Sequence, residues 1–188
     1  MKKAFIVLAF STLIFINIEA QQKLTADVSK TKLEWLGEKV TGKHDGGISL
    51  QSGWLSLKDN KIQSGEFVID MTTITSNEKL DNLVGHLKSD DFFGVEKFPT
   101  AKLVLSESTG FDKGTASVKG NLTIKGVTNP VEFKAATQKK DDGNWYFANI
   151  VVDRTKYNVR YGSGSFFDNL GDKTIYDDFN IKVSLLVK

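Results

Sequence analysis

Apolar and polar residues alternate with a period of two along most of the chain beyond residue 30. The pattern is clearest over 115–125 and over 174–188, where every second residue is small or apolar, apart from Asp177. This period is typical of a β-strand that buries one face. Six shorter segments share it. The eight strands predicted are 31–36, 48–57, 62–71, 100–106, 115–125, 131–137, 145–153 and 174–188.

One segment has the helical period instead. Its apolar residues recur at i, i+3, i+4 and i+7, at Leu80, Leu83, Val84 and Leu87. Thr75 and Glu78 precede them with the spacing of a capping box. The pattern therefore predicts a short amphipathic helix from about Asn77 to Lys88.

Turn residues at 125–130 and at 141–144 separate alternating runs, which favours antiparallel neighbours. Within 48–57 the parity of the apolar positions changes at Gly53, where we expect a bulge or bend. Eight strands with one apolar face can bury it as a two-sheet sandwich or as one closed sheet. We favour an all-β, eight-stranded antiparallel barrel with one helix, because closure leaves no strand edge exposed.

The first twenty residues have the pattern of a secretory signal peptide. Lys2 and Lys3 precede an apolar run from Ala4 to Ile18, and Ala20 suits a cleavage site. We expect residues 21–188 to form the mature domain, located in the periplasm or secreted, without a stable membrane anchor. An uncleaved N-terminal anchor is the alternative, because Ile18 is larger than the residue usually found three positions before the cut.

Charge and composition exclude several functional classes. The chain has 25 Lys and Arg against 23 Asp and Glu, so the balance does not favour a nucleic-acid partner. It contains no cysteine, which excludes disulfides, thiolate zinc sites and cysteine nucleophiles. It also lacks a Gly-x-Ser-x-Gly elbow and the glycine-rich phosphate motifs.

Several longer strings point to a family. They are Gly-Lys-His-Asp-Gly-Gly at 42–47, His-Leu-Lys-Ser-Asp-Asp-Phe-Phe at 86–93, Phe-Pro-Thr-Ala at 98–101, Gly-Asn-Leu-Thr-Ile-Lys-Gly-Val-Thr at 120–128, and Asp153-Arg154 followed by Tyr157. In this order and spacing the chain resembles the YceI-like family of exported, lipocalin-like proteins. The resemblance implies a lipocalin-like barrel around an apolar tunnel. Its implied partner is a long-chain isoprenoid or similar lipid, such as a polyprenyl alcohol, a polyprenyl phosphate or a quinone tail.

Apolar residues assigned to the inward face are candidates for a tunnel wall, although a filled core would use the same residue types. They are Phe67, Ile69, Leu103, Leu105, Leu122, Ile124, Phe133, Phe147, Phe179 and Ile181. A second group lies on the predicted helix and the turn after it, at Leu83, Leu87, Phe92 and Phe93. This group can close one barrel end or can simply pack. On a strand Phe92 and Phe93 would point to opposite sides, so we expect one inside and the other over the outer seam.

The polar candidates are His44, His86 and Arg154. A histidine can contact a ligand head group at the barrel mouth, but the greater expectation is that it ties down a loop. A metal site would need both histidines to meet a carboxylate such as Asp45, Asp90 or Asp177, and two histidines alone are an incomplete zinc site, so we predict no metal and no cofactor. Arg154 is expected to form an internal ion pair with Asp177 or Asp70.

The sequence thus predicts an exported protein that sequesters or carries a long apolar chain and is not an enzyme, with a homodimer as a candidate assembly. Two alternatives stay open. One is a lipid-modifying enzyme with His44 or His86 as a general base, which requires that histidine near a carboxylate and facing the cavity. The other is a filled structural or partner-binding barrel with an exposed apolar patch.

Overall fold

Nine strands and one α-helix are present in the computed structural model, which describes residues 21–188. The predicted signal peptide, 1–20, lies outside the described residues. The elements are β1 Gln22–Thr25, β2 Lys32–Lys39, β3 Gly42–Lys58, β4 Lys61–Asp70, α1 Asp81–Lys88, β5 Thr100–Ser108, β6 Thr115–Ile124, β7 Val127–Lys140, β8 Gly143–Asp153 and β9 Ile175–Val187. Three short 3-10 turns lie at Met71–Thr73, Arg154–Tyr157 and Gly171–Lys173.

The sheet closes on itself as an eight-stranded antiparallel barrel, which confirms the predicted fold. Each strand from β2 to β9 pairs with the next along the chain, and β9 pairs back to β2. The predicted strands correspond to these eight. The additional strand, β1, pairs with β3 through Leu24 and Leu55, and Ala26 bridges to Val187 of β9. It therefore fills the edge between β3 and β9 beyond the end of β2.

The strand β3 is longer than predicted, because the glycine-rich residues 42–47 are also strand and pair with β2. Its second half pairs with β4, and the register shifts between Leu50 and Ser52. The predicted change of parity is therefore real, but the extra residue is Gln51 and not Gly53. Gly53 faces inward over the ring of Phe67, and a Cβ atom at this position would overlap that ring.

The helix begins later than predicted, at Asp81, and the expected capping box does not form. Thr75 and Glu78 have other partners. The amide of Thr75 donates to the carbonyl of Gly47 at 3.0 Å, and Glu78 Oε2 lies 2.5 Å from His44 Nδ1. The segment before α1 is thus bound to the start of β3 and cannot join the helix.

Two apolar clusters lie at opposite ends of the barrel. The lower end contains the β3–β4, β5–β6 and β7–β8 hairpins, and its core includes Leu55, Phe67, Phe111, Val118 and Tyr146. The upper end is covered by α1, by the turn after it and by the segment between β8 and β9. No helix within residues 21–188 is long and apolar enough to cross a membrane.

The inward glycines of β2 and β3 give a test of this packing. Replacing Gly53 with alanine pushes a methyl group into the Phe67 ring, so we expect a loss of about 1–3 kcal/mol in the free energy of unfolding. The matched control is Gly37→Ala, because a Cβ atom there meets nothing within 4 Å. Urea denaturation of both variants measures the difference. Equal unfolding midpoints would contradict the assigned contact.

Candidate functional site

The upper half of the barrel encloses an apolar cavity of about 170 Å³. Its wall combines inward residues of the strands with the end of α1 and the turn that follows. The predicted wall residues found here are Ile69, Leu87, Phe92, Phe93, Leu103, Leu122, Ile124, Phe179 and Ile181. The barrel interior is therefore not solidly filled at this end.

A smaller cavity of about 70 Å³ lies below the first. The predicted residues Phe67, Leu105 and Phe133 line it. Leu103, Ile150 and Val183 border both spaces, so these three side chains separate two compartments of one elongated interior. The interior narrows where they meet.

Phe147 borders the smaller cavity, but it does not have the inward parity predicted for it. The buried residues of β8 are Tyr146, Ile150 and Val152. The Phe147 ring stacks on Trp145, with ring centroids 6.1 Å apart and the planes 9° apart. Both faces of this strand carry large apolar residues, so the alternation did not identify the buried face.

The turn after α1 closes the upper end with two phenylalanines. Phe92 and Phe93 both line the cavity, with their ring centroids 5.0 Å apart, and Phe93 meets Phe179 at 6.2 Å. The expectation that one of them would cover the outer seam is wrong, because the two belong to a turn, where strand alternation does not apply. Leu83 packs against the upper cluster without lining the cavity.

Arg154 borders the cavity, but its hydrogen-bonding capacity is used by the protein itself. The side chain is 2% exposed. Its Nη1 donates to the carbonyls of Val159 and Tyr161 at 2.8 and 2.9 Å, and Nε and Nη2 each donate at 3.0 Å to the carbonyls of Tyr176 and Ile175. Arg154 therefore fixes the segment after β8 to the start of β9.

The expected ion partner of Arg154 is Asp177 and not Asp70. Asp177 Oδ1 lies 3.6 Å from Arg154 Nη2, and its Oδ2 accepts a hydrogen bond of 2.5 Å from the hydroxyl of Ser165. Burial acts to raise the pKa of Asp177, but the nearby hydroxyls of Ser163 and Ser165 and the charge of Arg154 outweigh it. The net pKa is lowered, so the carboxylate is charged in the folded protein near neutral pH.

Neither histidine lines either cavity. His44 lies at the rim on β3, bound to Glu78 of the segment before the helix. His86 lies on α1 with its ring centroid 4.4 Å from that of Tyr161 and 5.6 Å from that of Phe92. Its buried Nε2 has no hydrogen-bond partner among residues 21–188. A histidine that faces the cavity beside a carboxylate, which the enzyme alternative requires, is not found in this part of the chain.

No group of three or more His, Asp or Glu residues in the described part of the chain is placed to hold a metal ion. The charged side chains on the wall of the larger cavity are Arg154 and Asp178, and the rest of the wall is almost wholly hydrocarbon. Such a wall suits an apolar ligand, which gains by leaving water and needs few directed hydrogen bonds.

The sequence interpretation missed part of this wall. The omitted residues include Leu33, Trp35, Met71, Ile74, Ala101, Val131, Ile150, Val152 and Val183. Most lie on the inward parity of the predicted strands, so the alternation that identified the other wall residues also marks these. Met71 ends the predicted strand 62–71 but lies in the 3-10 turn after β4, and Ile74 follows that turn, beyond the periodic segment.

A profile described as YceI-like domain matches residues 24–187. The chain belongs to the YceI-like family. Among relatives of this family, a UPF0312 protein of Pseudomonas putida strain F1 is 28% identical over 152 residues, covering 77% of this chain and 78% of its own. A UPF0312 protein of Shewanella denitrificans is 31% identical over 93 residues, and the match spans about half of each chain, 50% of this one and 49% of the other.

Solved structures of the same fold are also similar to this YceI-like chain. Burkholderia cenocepacia BcnA superimposes with a TM-score of 0.71 at 21% identity, covering 87% of this chain and 99% of its own. A polyisoprenoid binding domain from Saccharophagus degradans superimposes with a TM-score of 0.63 at 12% identity, with coverages of 88% and 97%. At these identities the likeness concerns the fold.

Replacing Arg154 with methionine tests its role in the YceI-like barrel. We expect a loss of about 3–5 kcal/mol in the free energy of unfolding, because four carbonyls and Asp177 lose their contact with the buried guanidinium. The control is Arg160→Met at an exposed position, expected to change stability by about 0.5 kcal/mol or less. Chemical denaturation measures both. A similarly small change in stability in both variants would contradict the role of Arg154 in fixing the segment after β8 to β9.

Asp177 gives a pH dependence with a defined sign. Because its pKa is lowered in the folded state, its stabilising contribution is present above the unfolded pKa of about 4 and is lost as pH falls through the folded value. The difference in melting temperature between the wild type and Asp177→Asn should therefore shrink as pH is lowered from about 6 towards 3. A difference that is constant across this range would contradict the assignment.

Proposed function

We propose that this YceI-like protein binds one long apolar chain, an isoprenoid or similar lipid, inside the barrel. The observation that carries the proposal is the apolar cavity of about 170 Å³ with a second cavity directly below it. Each buried methylene contributes about 0.8 kcal/mol, so even a part of a prenyl chain supplies substantial binding energy. The polyisoprenoid binding domain of Saccharophagus degradans, which shares the fold, supports this ligand class.

The charges on the wall favour an uncharged head group. Arg154 is the basic residue on the wall; four of its N–H groups donate to backbone carbonyls, and its charge is paired with Asp177 at 3.6 Å. The second charged residue, Asp178, repels an anion. A phosphate within the cavity would lack a free cation, and burial of an unpaired charge is costly. We therefore favour an alcohol or quinone-like head over a phosphate.

We further propose that the protein is exported and carries or buffers its lipid in the periplasm or outside the cell. The support is the signal-peptide pattern of residues 1–20. The intact mass of protein expressed with its own N-terminus tests this proposal. A mature chain starting at Gln21 is the expected product, and a full-length mass in the membrane fraction would indicate an uncleaved anchor.

The cavity proposal is tested by filling the junction between the compartments. Ile150 is buried and borders both cavities, so Ile150→Trp should exclude the chain and lower the fraction of lipid-bound protein by roughly tenfold or more. The matched control is Val151→Trp, because the next residue on β8 is 56% exposed. Native mass spectrometry of protein purified without detergent measures the bound fraction, and solvent extraction identifies the lipid.

A second junction variant, Val183→Phe, keeps this test decisive if Ile150→Trp does not fold. A wild-type protein that is free of lipid after gentle purification from several hosts, and that takes up no added geranylgeraniol, would contradict the proposed function. So would lipid content that is equal in a folded junction variant and in the Val151→Trp control.

The proposed role is binding and not catalysis, which the two histidines can test. His44 and His86 lie outside both cavities, so replacing both with glutamine should leave lipid content and the chemical identity of the lipid unchanged. The same extraction and mass analysis serve as the measurement. Accumulation of a chemically different lipid in the double variant would instead favour the lipid-modifying enzyme.

A further inference from the structure

We propose that the protein docks on a lipid bilayer through an exposed aromatic patch at the upper end of the barrel. This inference rests on the proposed function, since it concerns how a water-insoluble chain reaches the cavity. The aromatic patch is defined by Val40, Tyr161, Phe166, Phe167 and Tyr176, each 44 to 51% exposed. Among residues 21–188, the Phe and Tyr side chains that are strongly exposed are all in this patch.

Backbone hydrogen bonds hold the patch together at the start of β9. The amide of Ile175 donates to the carbonyl of Gly162 at 2.8 Å, which places Tyr161 and Tyr176 on adjoining segments. The amide of Val40 donates to the carbonyl of Thr174 at 3.1 Å. The loop that carries the two phenylalanines is therefore attached to the edge of the barrel.

The carbonyl of Ser163 accepts from the amides of both phenylalanines, Phe166 at 3.2 Å and Phe167 at 3.1 Å. Ser163 is fully buried, and the hydroxyl of Ser165 binds Asp177 of β9. The two rings are thus exposed on a turn whose backbone is fixed. The exposure of the two rings therefore follows from the hydrogen-bonded conformation of the loop.

The aromatic patch is continuous with the larger cavity. Tyr176 is half exposed and also borders the cavity, as do its neighbours Ile175 and Asp178. At this point the register between β2 and β9 shifts after Gly37, and a Cβ atom at Gly37 would meet nothing within 4 Å. The aromatic patch therefore adjoins the apolar interior where the regular pairing of β2 and β9 is interrupted, between Gly37 and Lys39.

The chemistry of the patch fits the interfacial region of a bilayer. Phenylalanine and tyrosine beside a cation suit the boundary between head groups and acyl chains, and the Arg160 guanidinium lies 4.6 Å from the centroid of the Phe166 ring. Over 160–174 two basic residues balance two acidic ones, so the attraction is apolar and not directed at anionic lipid. A bilayer is also where an isoprenoid chain resides, which favours it over a protein surface.

Flotation with phosphatidylcholine vesicles tests the docking. The wild type should float with the vesicles, with little dependence on salt or on added phosphatidylglycerol. The double variant Phe166→Ser/Phe167→Ser should reduce the vesicle-bound fraction by roughly tenfold or more, since it removes two rings from the buried contact. The control is Val104→Ser/Val151→Ser, which removes exposed apolar residues from β5 and β8 and should float as the wild type does.

The possible outcomes separate this inference from the proposed function. A wild type that does not float, or a folded double variant that floats equally well, overturns the docking. Concentration-dependent dimers that the double variant abolishes, without flotation of the wild type, assign the patch to a second copy and also overturn it. Lipid content is measured separately by native mass spectrometry, so a protein that floats through the patch but carries no lipid retains the docking and loses only the proposed function.

Discussion

Closure of the eight-stranded sheet is the constraint on which the other features of this protein depend. It fixes the perimeter of the interior, and a barrel of this size has room for its own side chains or for one small ligand. The size of the inward residues decides between the two. At the lower end Leu55, Phe67, Phe111 and Tyr146 fill most of the space. At the upper end the inward residues include the small Gly37 and Ala101 and the medium-sized Val131 and Val152, which leave part of the interior unfilled.

The hollow upper half of the barrel needs support from outside the cavity, because its apolar wall cannot rest on a packed centre. Polar contacts at the rim provide that support. Arg154 joins the segment after β8 to β9, and Lys125 Nζ donates to the carbonyls of Asp90 and Phe92 at 2.7 and 2.8 Å. Trp35 Nε1 donates to the carbonyl of Thr75 at 2.9 Å. These bonds end on backbone carbonyls, so they fix the chain path while the cavity stays hydrocarbon.

The sequence predicted the strands and their closure because half-buried strands impose a strict period of two. It failed where another rule decides the structure. β1 has four residues, too few for a period to be visible, and 42–47 became strand although glycine has low strand propensity. Gly46 is accommodated there because the carbonyl of Thr75 occupies the place of a side chain. The same contact removes Thr75 from the helix, so one tertiary interaction explains two errors.

The candidate site, like the fold, was predictable from the sequence where residues lie on strands with a period of two. The period of two identified many inward strand residues, although Ile150 and Val183 were passed over. Ile74 lies in a turn without a period. Phe147 lies on a strand that is apolar on both faces. The histidines show a different limit, since a sequence cannot tell that His44 will meet Glu78.

The narrowing between the compartments sets how binding depends on chain length. A chain that fills only the upper cavity gains the full transfer energy of each carbon, because that space is open. To reach the lower cavity it must displace Leu103, Ile150 and Val183, and moving closely packed side chains offsets part of the gain. Affinity should therefore rise steeply with the first carbons and more slowly beyond the junction. If the proposed function holds, one end of a long chain would be bound in the upper cavity and the remainder would lie at the rim.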